Sequence, residues 1–235
     1  MSTLSHFLNR CLSWKWIKAK PAIPKGVETR KKIVTLTAAD QEKLLAAAIG
    51  DQDPYTWLFV IIAMRTGMRH SEIIRVRWDE IDFENRRIYI GKAKAGQREQ
   101  PMPTSLAEKL KAERNQRTDQ EGWLFPTNRK DAKEPHRSTM AEQFRRAVER
   151  AKLDPKKVTP HVLRHTAITA LVKAGVDLPT IQKVSGHKTL ATVLRYTHIS
   201  DDHIDQSVAK LDTAFPDELT PELHTQPVRT IKGSA

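Results

Sequence analysis

The chain's 235 residues are enough for one sizeable core and part of a second domain, and its single cysteine, Cys11, excludes an intramolecular disulfide, which fits a reducing compartment rather than secretion. Forty Lys and Arg against 28 Asp and Glu leave a formal charge of +12 and a sequence pI of about 9.9, a balance suited to a polyanion such as nucleic acid. The longest apolar run, Trp57 to Met64, falls well short of the ~20 residues of a membrane-spanning helix, so no membrane partner is expected.

Residues 1–32 carry eight Lys or Arg and one acid, Glu28, so more than half of the excess charge lies there. This end is basic and mildly amphipathic, as a transit peptide is, but Trp14, Trp16, Pro21 and Pro24 fit that reading poorly. A helix is predicted over 4–18, followed by a proline-bounded linker. Further basic pairs at Arg86-Arg87, Arg145-Arg146 and Lys156-Lys157 extend a positive face along the chain, although any one alone is an ordinary solvated face.

Thr37 and Asp40 form a capping-box signature that opens a helix to about Ala48, closed by Gly50. Asp53-Pro54 starts the apolar helix that runs to Thr66, and Gly67 breaks it. Ser71 and Glu72 begin another short helix, which places Arg69 in a tight corner that holds its side chain rigidly. Alternation and β-branched residues predict a strand over 86–90, a turn at Ala95-Gly96, a return strand over 98–102 and a third strand over 123–125. Helices follow over 105–115, 138–153, 160–174, 178–184, 190–196 and 200–215. Pro216, Pro221 and Pro227 in a polar context make 216–235 a loose tail. The expected fold class is α+β, mainly α-helical, with a small antiparallel three-stranded sheet.

Thr159-Pro160 starts a helix on which His161, Arg164 and His165 occupy positions i, i+3 and i+4, so one face presents imidazole and guanidinium together. Taken alone, HxxRH is more often a capped helix whose histidines pack. His161 and His165 also have metal-ligand spacing, but the Glu of an HExxH motif is missing. Arg69 could be an ordinary ion-pair partner of Glu72, His187 after Gly186 a helix-end residue, and Tyr196 a half-buried packing residue. As a set they supply forked cations that clamp phosphate oxygens and a phenol that can bond to phosphorus.

The set, in its order and spacing, resembles the tyrosine recombinase family of phage integrases and Xer-type recombinases over about Val34 to Leu211. The quoted segments are TGMRHSE, HVLR, SGHK and a tyrosine nine residues beyond the SGHK histidine. The resemblance implies a tyrosine recombinase-type catalytic domain over 34–215, preceded by a residual N-terminal helix and linker over 1–33 that answers to an incomplete core-binding domain. It implies that Arg69 and Arg164 hold the scissile phosphate, that His161 and His187 hydrogen-bond it or assist proton transfer, and that Tyr196 attacks. The family's general-acid lysine maps to KAKAG, at Lys94 by the K-x-G form or else at Lys92.

A phenol of pKa ~10 is about a thousandfold under-ionised at neutral pH, so its attack benefits from a base, for which His161 is a candidate, or from cations that stabilise phenolate. Fixed guanidinium donors on the transition-state phosphate are worth on the order of 2.7–4 kcal/mol each, so no metal or other cofactor is called for. The function implied by resemblance is site-specific recombination through a 3′-phosphotyrosyl intermediate, in the cytoplasm at the nucleoid. Its partners would be double-stranded DNA, a homotetramer on synapsed duplexes and accessory DNA-bending proteins. Two alternatives remain open at this point: a nicking-closing activity resembling type IB topoisomerases, and a truncated DNA-binding remnant without recombination.

Overall fold

The structure, a computed structural model, describes residues 2–23, 33–91, 96–117, 121–127 and 129–197. The chain divides into two compact units, Met1–Ile33 and Val34–Ala235. In the first, helix α1 (Ser2–Ser13) stops earlier than the predicted 4–18. Lys15 adopts a left-handed φ of 60°, which ends the spiral, and the Lys20 ammonium returns to Ser5 Oγ and Asn9 Oδ1 at 2.8 and 2.9 Å.

The second unit is built on α2 (Ala38–Ile49), α3 (Thr56–Thr66), the short α4 (His70–Ile73), α5 (Thr104–Gln116), α6 (Ala141–Arg150), α7 (Pro160–Lys173), α8 (Leu178–Ser185) and α9 (Leu190–Leu194). Thr37 caps α2, its Oγ1 accepting from Asp40 N–H at 3.1 Å, and Asp177 does the same for α8 through Thr180 N–H at 2.9 Å. Helix α3 is apolar from Trp57 to Met64 because it is covered on most sides: α2, α6 and α7 pack on it, and Leu58, Phe59, Val60 and Ile62 are fully buried. Phe59 meets Phe125 and Phe144 edge to face, which fixes the middle of the core. Among the described residues no helix is long and apolar enough to cross a membrane.

The sheet is antiparallel in the order β1 (Ile81–Asp82), β2 (Arg87–Ile90), β3 (Arg98–Pro101). Its register pairs Ile81 with Ile88, Ile88 with Gln100 and Ile90 with Arg98. The third strand is therefore Ile81–Asp82, not 123–125. Trp123 makes a single bridge to Arg77, and Leu124 N–H bonds Val76 O at 2.9 Å, so that segment is held by the chain just before β1 and not by the sheet. On β3 the residues facing the domain are Arg98 and Gln100, the latter fully buried with its amide donating to Thr66 O at 3.2 Å. A polar strand face is thus turned towards the end of α3. The hairpin tip with Lys92 and Lys94, the helix expected over 200–215 and the tail over 216–235 lie outside the described residues.

Candidate active site

Gly67 ends α3 with φ 64°, a left-handed backbone that favours glycine. The chain then turns into α4 with Arg69 as its N-cap residue. Glu72 Oε2 accepts the Arg69 backbone N–H at 3.0 Å, and Glu72 Oε1 accepts from Arg69 Nη1 at 2.8 Å. Arg69 Nη2 reaches across to Gly186 O at 2.7 Å. The corner predicted from TGMRHSE is present, and Glu72 closes it.

Arg164 projects from α7 into the same place and is 1% exposed. Its Nη1 donates to Gly67 O at 2.8 Å and its Nη2 to His187 Nε2 at 2.9 Å, while Nε has no hydrogen-bond partner among the described residues. Burial, followed by the charge of Arg69, brings its pKa down to about 10, so it remains cationic at neutral pH. A buried guanidinium needs acceptors on most sides, and the Gly67 carbonyl and His187 supply two of them.

His187 follows the left-handed Gly186 that ends α8. Ser185 Oγ donates to Ile181 O at 2.6 Å and stands 2.8 Å from His187 Nδ1. That leaves the serine oxygen to accept from Nδ1–H, which makes Nε2 the lone pair that faces Arg164. The ring is therefore a neutral acceptor here. Burial first, then Arg164 and Arg69, lower its pKa to about 4.

Tyr196 lies in the turn just past α9 and is 3% exposed. Burial raises its pKa, partly offset by Arg164 and Arg195. Its hydroxyl is 2.7 Å from Nδ1 of His165, whose own pKa falls to about 4 through burial, His161 and Arg164. In the tautomer that carries its proton on Nε2, neutral His165 accepts the Tyr196 O–H at Nδ1. His161 is exposed and its ring stands edge-on to His165 with centroids 4.4 Å apart.

Arg69, Arg164, His187 and Tyr196 thus converge, with His161 one ring away, while Lys94 and Lys92 lie outside the described residues. Sequence reasoning placed His165 on the face of His161 and weighed the pair as metal ligands, but gave it no part in the phosphodiester chemistry. It also passed over Arg98, whose Nη2 donates to Glu72 Oε2 at 3.0 Å. The signal was available: Arg98, Gln100 and Met102 alternate along one strand face.

The depressed histidines have a consequence for stability. His165 and His187 have folded pKa values of about 4, below the ordinary 6.5, so in that interval the unfolded chain binds more protons than the folded one. Stability is expected to be full above about pH 6.5 and to fall as pH drops towards 4, with His165 and His187 together contributing about two protons to the slope. Urea melts across this range check it, and His165→Gln should reduce the slope by about one proton.

Residues 34–203 match the family model described as phage integrase family. The chain is 30% identical over 191 residues to tyrosine recombinase XerA of Pyrococcus furiosus, covering 81% of this chain and 64% of that protein. It is 27% identical over 181 residues to tyrosine recombinase XerC of Caldanaerobacter subterraneus, covering 75% and 50% respectively. The chain therefore spans between half and just under two thirds of these relatives. Among solved structures, the crystal structure of XerA recombinase superposes with a TM-score of 0.61 at 26% identity, covering 77% of this chain and 66% of that one. The catalytic domain of bacteriophage HP1 integrase, at 24% identity and a TM-score of 0.59, shares the fold over 79% of this chain and 99% of its own. With a family match over most of its length and a fold of the same type, this chain belongs to the phage integrase family.

Proposed function

We propose that this chain is a site-specific DNA recombinase that cuts and rejoins DNA through a tyrosine-linked intermediate. The observation that carries the proposal is a buried phenol, Tyr196, bonded at 2.7 Å to an imidazole on the same helix as a buried arginine, with Arg69 and His187 completing a cationic cluster. The names of the relatives support it, as does the same fold in XerH, a site-specific recombinase bound to its difH substrate. Double-stranded DNA is the substrate, residues 34–215 form the catalytic part, and 1–33 belong to a DNA clamp. A homotetramer on synapsed duplexes is the working assembly, aided at the nucleoid by accessory DNA-bending proteins.

In this proposal a phosphodiester enters between Arg69 and Arg164, and its oxygens take donors of both forks. Once Arg164 donates to phosphate, Nε2 of His187 is released and gains a proton, because the anion reverses the field that keeps the ring neutral. Tyr196 oxygen then bonds to phosphorus as the bond to the 5′ oxygen breaks. The phenolic proton passes to His165, and a lysine, Lys94 or Lys92, protonates the leaving oxygen. The 3′-phosphotyrosyl ester keeps the energy of the broken bond, so a 5′ hydroxyl of another strand can reseal it without ATP.

Nicked duplexes drawn from candidate attachment sites, mixed with the protein and run on a denaturing gel, test the proposal. A covalent band is expected. Its absence from every site, with intact fold and normal DNA binding, contradicts the proposal and leaves a DNA-binding remnant. Because His165 and not His161 is hydrogen-bonded to the Tyr196 hydroxyl, His165→Gln is expected to slow formation of the band by about 10²-fold, as for the loss of a general base. His161→Gln should slow it less, and single-turnover rates compare the two.

A further inference from the structure

Glu72 carries a second guanidinium that the chemistry above does not use. Its side chain is 2% exposed, and besides the backbone and side chain of Arg69 it accepts from Arg98 Nη2 at 3.0 Å. Arg98 in turn donates through Nη1 to Gln100 Oε1 and to Val184 O, the latter at 3.2 Å. We propose that Arg98 is a positioning residue of the phosphate-binding site: it shares the Glu72 carboxylate so that Arg69 keeps its charge for a phosphodiester, and it seats the turn that carries His187. This rests on the phosphodiester chemistry proposed above.

The charge follows from counting. Glu72 is buried, so water does little to screen it and its partners must balance it. With Arg69 alone it would make a neutral pair, and the corner would offer an incoming anion little attraction. With Arg98 added, the three groups carry a net +1, and Arg69 remains an anion-binding cation although it is ion-paired. Burial works against the charge on Arg98, and Glu72 is what sustains it.

The seating is steric. Gly186 has φ 64°, and a Cβ there would stand 2.6 Å from Arg98 Nε and 3.0 Å from Arg98 Cζ. Arg98 therefore packs directly beneath the glycine, where its buried Nε has no hydrogen-bond partner among the described residues. Arg69 donates to Gly186 O and Arg98 to Val184 O, so two arginines grip the last turn of α8. The residue held in place by that grip is His187, the partner of Arg164. A strand residue more than sixty positions before His161, Arg164 and His187 thus sets the geometry of the pocket.

The test compares Arg98→Gln, Arg98→Lys and the double variant Arg98→Gln/Glu72→Gln, each checked for folding by circular dichroism. Two readouts are used: the rate of covalent attachment to a nicked duplex at saturating protein, and the rise in melting temperature that inorganic phosphate gives the DNA-free protein. Arg98→Gln is expected to slow attachment by about tenfold or more with DNA affinity nearly unchanged, and to lose most of the phosphate-induced rise. Arg98→Lys should recover most of the phosphate-induced rise, because it restores the charge, but only part of the attachment rate, because one ammonium cannot hold Glu72 and Val184 O at once as the fork does. The double variant should recover part, because Arg69 is no longer neutralised.

If Arg98 only braces the fold, Arg98→Lys fails as badly as Arg98→Gln, the double variant is worse than either, and the phosphate response persists; that pattern overturns the proposal. Should Arg98→Gln not fold, Arg98→Lys decides: a phosphate-induced rise close to that of wild type supports the charge role, and its loss at normal melting temperature overturns it. A wild type that forms no adduct but responds to phosphate sinks the catalytic proposal and leaves Arg98 to be judged on phosphate alone. A wild type that does neither overturns both.

Discussion

Tyr196→Phe is expected to abolish the covalent protein–DNA adduct while leaving DNA affinity unchanged. The substitution removes one oxygen, which in the proposed reaction is the atom that bonds to phosphorus, and no other described hydroxyl stands in its place beside His165. It also has a structural cost that can be measured separately. His165 Nδ1 loses its partner at a half-buried position, which costs on the order of 1–3 kcal/mol, so urea denaturation should show a modest loss with an unchanged slope. Retained DNA binding with complete loss of the adduct separates a nucleophile from a packing residue. An adduct that survives at a reduced level would mean that another residue attacks.

Arg164→Ala should come next in size. Arg164 is fully buried, and its fork is divided between the end of α3, through Gly67 O, and His187. Removing it takes a fixed donor from the developing charge, on the order of 2.7–4 kcal/mol or about 10²–10³ in rate. It also strips His187 of the group that orients its Nε2. DNA affinity should hardly change, since one phosphate contact among many shifts the salt dependence of binding by about one at most. Arg164→Lys is the informative companion: it keeps the charge but cannot donate to Gly67 O and His187 in the plane of a fork, so it should recover little of the rate. Single-turnover attachment rates and salt-dependent binding check both variants, and equal losses in rate and affinity would make Arg164 a structural residue.

Much of this was readable from residues whose local chemistry is decisive. Gly67 before Arg69, Thr159-Pro160 before His161 and Gly186 before His187 each mark a backbone break next to a reactive side chain, and the helices start and stop there. Helix ends elsewhere were less legible. Helix α6 covers Ala141–Arg150 and not the predicted 138–153: at its start Met140 N–H is bound by His70 Nε2 at 3.0 Å, a contact from a distant part of the chain, and past its end Lys152 takes a left-handed φ of 57°. The third strand was assigned to 123–125 because an apolar triplet looks like a strand, whereas Ile81–Asp82 is too short to show alternation and is recruited by pairing with β2. The roles of His165 and Arg98 come from contacts 31 and 26 residues away, with Tyr196 and Glu72, so the helix face and strand alternation that mark these residues do not by themselves assign what they do.

The most direct test of the account is to map the adduct. Protein trapped on a nicked duplex is digested with trypsin and nuclease, and the nucleotide-bearing peptide is sequenced by mass spectrometry. The expected result is a single modified peptide ending in a nucleotide joined through its 3′ phosphate to Tyr196. A modification on any other residue, or a link through a 5′ phosphate, would contradict the account.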